Sequence, residues 1–216
     1  MSNFDWSLIA YSFPHLLKGV VVTIEISLLA LVAGTVLGIV CGLLSVSGNR
    51  WLSTPVAFYV FFVRGTPALV QIFLVYFALP TIGIAISPFW GGVVALTFNA
   101  GGYVSEIIRA GIQSIDVGQS EAAKSIGMRR GQTLAHILLP QSWKRVLPGL
   151  TNEMITLVKT SSLLSVISVF EVTRAAQVVI ADKFAPFELY ALLAVFYLVI
   201  ISVLAQLSSY VERRLT

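Results

Sequence analysis

Asp116-Val117-Gly118-Gln119-Ser120-Glu121-Ala122-Ala123-Lys124-Ser125-Ile126-Gly127 opens the longest polar passage in an otherwise apolar chain. Asp116 is an acceptor with Gln119 three residues later, the spacing of a capping box at a helix N-terminus. Residues 120–126 continue as a short helix, and Gly127 is free to take the left-handed conformation that ends one. Lys124, Arg129 and Arg130 then fall near the negative end of its dipole. A second amphipathic stretch, Gln132 to Leu139, follows and is closed by Pro140. Ala122 and Ala123 keep the first helix slim. A slim helix flanked by charge suits a groove on another protein; the plainer alternative is a solvated loop helix.

Around this passage the chain is built for lipid. It has 216 residues, so one domain covering 1–216 is expected. Hydrophobic residues make up 57% and charged residues 11%, with mean hydropathy +0.90; a soluble domain carries about 25% charged residues. So few charges cannot cover a surface facing water, and no nucleic-acid partner is expected. Cys41, the sole cysteine, lies in an apolar run and reads as a small packing residue. Before Lys18 there is no Lys or Arg, so a signal peptide with a basic start is not expected. Phe4, Trp6, Tyr11 and Phe13 alternate with polar residues there, which suits a segment lying in the membrane interface.

A bilayer core takes about 20 apolar residues in helix. Five stretches meet that length, roughly 19–46, 55–80, 88–114, 147–169 and 187–210. They predict an all-α membrane protein of about five transmembrane helices. Ser47-Gly48-Asn49-Arg50, Pro80-Thr81-Ile82-Gly83 and Asp182-Lys183 with Pro186 supply the breaks. Arg50, Lys124, Arg129, Arg130, Lys144, Arg145, Arg213 and Arg214 fall on one side of this arrangement, against Lys18, Arg174 and Lys183 on the other. The outer trio is offset by Asp5, Glu171, Asp182 and Glu188. Basic loops stay in the cytoplasm, so the N-terminus is expected outside and the C-terminus and the 115–146 loop inside. Five helices enclose little volume, so a pathway is expected to form between two subunits. Ala30, Gly34, Gly38 and Gly42 recur every four residues and form a groove that admits a close helix neighbour, in the same subunit or another.

Glu121-Ala122-Ala123, then Gly127, then Ile137-Leu138-Leu139-Pro140 resembles the EAA loop of ABC importer permeases at the family's spacing. Phe62-Val63-Arg64-Gly65-Thr66-Pro67-Ala68-Leu69-Val70-Gln71 and the passage from Asn99 to Ile112 resemble the polar amino-acid branch of that family, as do Asn152-Glu153 and Lys159-Thr160-Ser161-Ser162-Leu163. The likeness covers about residues 15–212. It implies a type I importer fold and an ATPase-coupling role for Glu121, Ala122, Ala123 and Gly127. It also implies a second permease subunit, identical or related, two cytoplasmic ATPase subunits, an extracytoplasmic amino-acid-binding protein, and a place in a bacterial cell membrane.

The chain has no G-x-x-x-x-G-K-[ST] phosphate loop, and its two histidines, His15 and His136, are far apart. No catalysis, metal or cofactor is therefore expected in this chain, and ATP with its magnesium belongs to the partner ATPase. Ionisable residues at membrane depth are costly and are candidates for function. Glu106 and Arg109 share a helix face and read as an intrahelical pair. Glu153 has no opposite charge at helical spacing, although Lys159 could balance it or Glu25 across helices. Asn99 sits beside Gly101 and Gly102, which can loosen backbone; Arg64 begins a Pro67 break, and its guanidinium together with the freed carbonyl could meet a carboxylate ligand. Glu153, Asn99, Arg64 and Glu25 are thus the candidate substrate-binding residues, against the alternative of satisfied interhelical contacts. A polar and, by charge, cationic amino acid is the expected cargo. The rival class is an ion-gradient-driven carrier or channel with Glu25, Glu106 and Glu153 as a relay; a purely structural scaffold leaves the buried charges without a reason.

Overall fold

The computed structural model describes residues 6–215, and every regular element among them is helical. Residues 1–5, with Phe4 and Asp5, lie outside the described part. The elements are α1 (Trp6–Ser45), α2 (Arg50–Gly65), α3 (Ala68–Thr81), α4 (Pro88–Gln113), α5 (Val117–Ser125), α6 (Arg130–Thr133), a π-turn (Leu134–Leu138), α7 (Leu139–Thr160), a 3-10 turn (Ser161–Ile167), α8 (Val172–Lys183) and α9 (Pro186–Leu215).

The first helix starts well before the expected span. Trp6 to Lys18 is not a separate interfacial segment but the first turns of α1, with Pro14 accommodated inside it. The reason is a buried stripe, Leu8, Ser12, Leu16, Gly19 and Thr23, at the three- and four-residue spacing of one helix face. It packs on α8 and α9 through Val172, Ala176, Val179, Leu189, Leu193 and Phe196. Gly19 is required by this fit, because a Cβ there would lie 2.7 Å from the Val172 Cα.

α4 is the central helix and the main partner of α1. The small-residue groove of α1 takes α4 in the same chain. A Cβ on Gly34 would meet the Ala100 Cβ at 2.8 Å, one on Gly38 the Val104 Cβ at 2.5 Å, and one on Gly42 the Ile108 Cβ at 2.7 Å. Ile26, Ala30, Ile72, Leu96, Ala100, Leu157 and Leu164 join α1, α3, α4, α7 and the 3-10 turn in one core. Outward, Val32, Val36 and Val40 of α1 and Leu198, Val199 and Val203 of α9 are exposed, an apolar surface suited to lipid.

The five expected spans map unevenly onto these elements. By length and composition α1 and α9 can each cross a membrane alone. The 55–80 stretch is not one rod: α2 and α3 meet at an elbow of 113°. The 147–169 stretch begins earlier, in α7, and the segment Arg130–Ile167 bends by 46° into α8. At 26 residues α4 is about 39 Å long, enough to span, with Asn99 and Ser105 buried on it. Pro140 does not end a helix. The π-turn before it widens the backbone, with the Leu139 N–H reaching the Leu134 carbonyl, and the chain continues into α7 with Pro140 in its first turn.

Candidate functional site

The polar hairpin of α5 and α6 forms one candidate surface. Asp116 caps α5 by accepting from the Gly118 N–H at 2.8 Å. Gln119 does not complete a capping box; its side-chain oxygen Oε1 accepts from Gln141 Nε2 at 3.1 Å and ties α5 to α7. Gly127 ends the helix at φ +82°, with its N–H on the Lys124 carbonyl. The two alanines diverge: Ala123 is buried beneath α5, while Ala122 and Glu121 face outward with Val117 and Ile126. Arg130 does not serve the α5 dipole. Its guanidinium lies across Gly48 and donates to the Val46 carbonyl at 3.4 Å, holding the hairpin under the end of α1. Arg145 donates to the Ser114 carbonyl and fixes the start of the hairpin from α7.

The elbow forms the second. Pro67 has no N–H, so the Val63 carbonyl loses its helical partner. Gln71 supplies the missing donor. Its Nε2 lies 2.8 Å from the Val63 carbonyl, 3.1 Å from the Thr66 carbonyl and 2.9 Å from Thr66 Oγ1. Gln71 Oε1 accepts from Asn99 Nδ2 at 2.9 Å, so an amide pair buried between α3 and α4 joins the elbow to the central helix. The freed carbonyl expected to meet a ligand is thus occupied from within. Gly101 and Gly102 do not loosen α4. Tyr59 and Leu37 fill the space beside Gly101 and Val63 that beside Gly102, so α2 approaches closely while α4 stays helical.

Arg64 projects into a cleft of about 770 Å³ lined also by Ser45, Ser105, Glu106, Arg109 and Gln113. Glu106 takes the expected pair with Arg109, whose Nε donates at 2.9 Å, and adds Arg64 Nη1 at 3.5 Å from α2. One carboxylate therefore holds two guanidinium groups, and Arg64 keeps 52% of its side chain exposed.

Glu153, Asn99 and Glu25 do not line that cleft. Glu153 is 6% exposed on the face of α7 that meets α4, and its Oε1 has no hydrogen-bond partner among the described residues. The antiparallel register is set by Val146 against Gly111 and Gly149 against Ile107. One turn on, Glu153 falls opposite the Tyr103 turn, with Asn99 a further turn of about 6 Å away. Glu25 is exposed on α1, and Lys159 is exposed on α7 with Asn152 and Thr156 on the same face. Lys159 makes no ion pair with either acid among the described residues. Glu171, counted above as an outer-side charge, is fully buried. It is the N-cap of α8, accepting from the Thr173 N–H at 2.9 Å and the Arg174 N–H at 2.7 Å, with the Tyr197 hydroxyl at 3.3 Å. Gln71 and Glu171 are the polar residues that sequence reasoning missed. For Gln71 a signal existed, an amide four residues after the Pro67 break.

The chain matches the family model described as binding-protein-dependent transport system inner membrane component over residues 34–216. It is 39% identical over 216 residues to the glutamine transport system permease protein GlnP of Escherichia coli (strain K12), covering 99% of this chain and 98% of that one. It is also 39% identical to the arginine transport system permease protein ArtQ of Bacillus subtilis (strain 168) over 214 residues, again 99% and 98%. A crystal structure of an amino acid ABC transporter with histidines superposes with TM-score 0.90 at 36% identity, covering 99% of both chains. The α5–α6 hairpin, the elbow and the α1–α4 seam thus belong to a type I ABC permease, and this chain is a member of the family of inner-membrane components of binding-protein-dependent transport systems.

Proposed function

We propose that this subunit imports a polar, cationic amino acid, with Glu153 as the group that meets the positive charge of the cargo. The observation that carries the reading is the buried Glu153 oxygen without a partner. A carboxylate held in a low dielectric without a counter-charge is costly, and a cationic ligand relieves that cost. Asn99, about one turn of α4 beyond the level of Glu153, offers a second polar contact. Arg64, half exposed in its cleft, and Glu25, exposed on α1, complete the set as contacts along the path. The relatives named for glutamine and for arginine stand at the same 39% identity, so the charge argument chooses between them.

Two such subunits form the pathway, with the N-terminus outside and the α5–α6 hairpin in the cytoplasm. An extracytoplasmic binding protein delivers the cargo. Glu121, Ala122, Ala123 and Gly127 seat on a partner ATPase, which holds ATP and magnesium and performs the hydrolysis; this chain supplies no catalytic group.

Glu153→Gln keeps the shape and removes the charge. In a reconstituted complex with its ATPase and binding protein, it is expected to weaken arginine uptake at limiting concentration while leaving ATPase assembly intact. Unchanged uptake would make Glu153 a packing residue and remove the argument for a cationic cargo.

A further inference from the structure

Gln71 is 1% exposed, and its amide is oriented by its surroundings. The Val63 and Thr66 carbonyls can only accept, so the side of Gln71 facing them is the NH₂. Its carbonyl oxygen must then face Asn99. That fixes Asn99 in turn: the NH₂ points at Gln71, and Oδ1 points away from it. Among the described residues no donor reaches Asn99 Oδ1, and that atom is not among the sealed-off oxygens without a partner. The side chain is otherwise buried, at 6% exposed for the residue. A buried amide with a fixed, unused acceptor is arranged for a donor that the chain does not supply.

We infer that Gln71 is a positioning residue for the cargo: by holding the Asn99 NH₂, it presents the Asn99 carbonyl oxygen as an acceptor for an N–H group of the bound amino acid. The inference rests on the reading of this chain as an amino-acid permease and adds a residue to it. Gln71 touches no ligand itself. It acts through Asn99 and ties the orientation of that amide to the 113° elbow, whose stranded carbonyls it also satisfies.

The two duties of Gln71 separate by substitution. Gln71→Glu keeps an oxygen to accept from Asn99 Nδ2 and gives up the amide donors to the elbow. Gln71→Met keeps the volume and loses both; Gln71→Lys keeps donors for the elbow oxygens and loses the acceptor, and it replaces Gln71→Met if that variant does not assemble. The measurement is the Kd of radiolabelled arginine and of radiolabelled glutamine on the purified permease–ATPase complex in nanodiscs, with the thermal midpoint recorded beside it. Gln71→Met or Gln71→Lys is expected to raise Kd about tenfold, and Gln71→Glu to stay within about twofold of wild type even where its midpoint falls. In an Asn99→Ala background the tenfold effect of Gln71→Met should vanish, because the residue through which it acts is gone. A Kd that follows the midpoint across all variants, or a Gln71→Met effect that persists without Asn99, overturns the inference. A wild-type complex that binds neither amino acid overturns the amino-acid reading and the inference together.

Discussion

Gly38 is where the α1–α4 seam has the least room. A Cβ there would lie 2.5 Å from the Val104 Cβ and Cγ1 and 2.9 Å from the Ser105 amide nitrogen. Ordinary contact between carbons is about 3.5–4.0 Å, so the overlap is about 1 Å. Val104 Cγ1 can rotate away, but the Val104 Cβ and the Ser105 nitrogen move only if a helix moves. In Gly38→Ala the gain from replacing glycine in a helix, about 0.5–1 kcal/mol, opposes an overpacking cost of about 1–3 kcal/mol. The net is a loss of about 1 kcal/mol. Gly38→Val adds two methyl groups at the same point and is expected to lose about 3 kcal/mol.

Gly131 on α6 is the control, since a Cβ there meets nothing within 4 Å. Gly131→Ala is expected to gain about 0.5–1 kcal/mol, so the two glycine-to-alanine changes have opposite signs. The assay is the thermal midpoint of the purified permease–ATPase complex, where 1 kcal/mol corresponds to about 2–4 °C for a chain of this size. Val104→Ala removes the Cγ1 overlap and leaves the Cβ overlap, so it should restore Gly38→Val only in part. A Gly38→Ala midpoint that rises with that of Gly131→Ala would refute the close approach of α1 to α4 and the account of why these small residues recur.

Gly127→Asp tests coupling: Asp tolerates positive φ better than most residues and the chain has open space there, so the permease should fold and insert but lose co-purification with its ATPase and transport; a variant that does both normally refutes the coupling assignment. Glu171→Ala should lower stability by about 2–3 kcal/mol, through loss of the α8 cap and exposure of two unsatisfied N–H groups, with a smaller loss for Glu171→Gln; equal thermal midpoints would show that the cap is dispensable. For topology, a cysteine placed at Ser120 in a Cys41→Ser background should resist membrane-impermeant thiol reagents in intact cells and react after lysis; labelling from outside would reverse the orientation.

What the sequence revealed and what it hid divide along a physical line. Local chemistry was legible. Gly127 ends α5 with positive φ, Pro88 opens α4, and Glu106 pairs with Arg109 at the three-residue spacing. Each depends on neighbours within one or two turns. The α1 groove was legible as a groove, but its partner was not, because Ala100, Val104 and Ile108 lie more than sixty residues away. Residues 6–18 show the opposite error. Aromatic and polar residues alternating along the chain hid a buried stripe that becomes visible only when α8 and α9 cover it. The Pro67 break was read correctly as a lost hydrogen bond, but the sharpness of the elbow depends on Gln71 and Asn99 replacing it across helices. The cap donors of Glu171, Thr173 and Arg174, are local; only its burial, with Tyr197 of α9 beside it, was beyond a local reading.

The membrane-depth acids also decide between the importer and its rival. A proton relay needs carboxylates linked through hydrogen bonds, each able to change protonation in turn. Glu106 is held by two guanidinium groups, so its oxygens are committed to an ion cluster and not to another carboxyl. Glu25 is exposed on α1, whereas Glu153 is buried where α7 meets α4. No hydrogen bond among the described residues joins any two of Glu25, Glu106 and Glu153. Glu171, the remaining buried acid, has its oxygens committed to capping α8. The acids are thus held one at a time, in an ion cluster, in a cap and, at Glu153, with a buried oxygen that has no partner among the described residues. A relay would leave the exposed α5 surface of Glu121 and Ala122 without a purpose. Under the importer proposed above, that surface meets the motor and the buried, unmatched Glu153 meets the cargo.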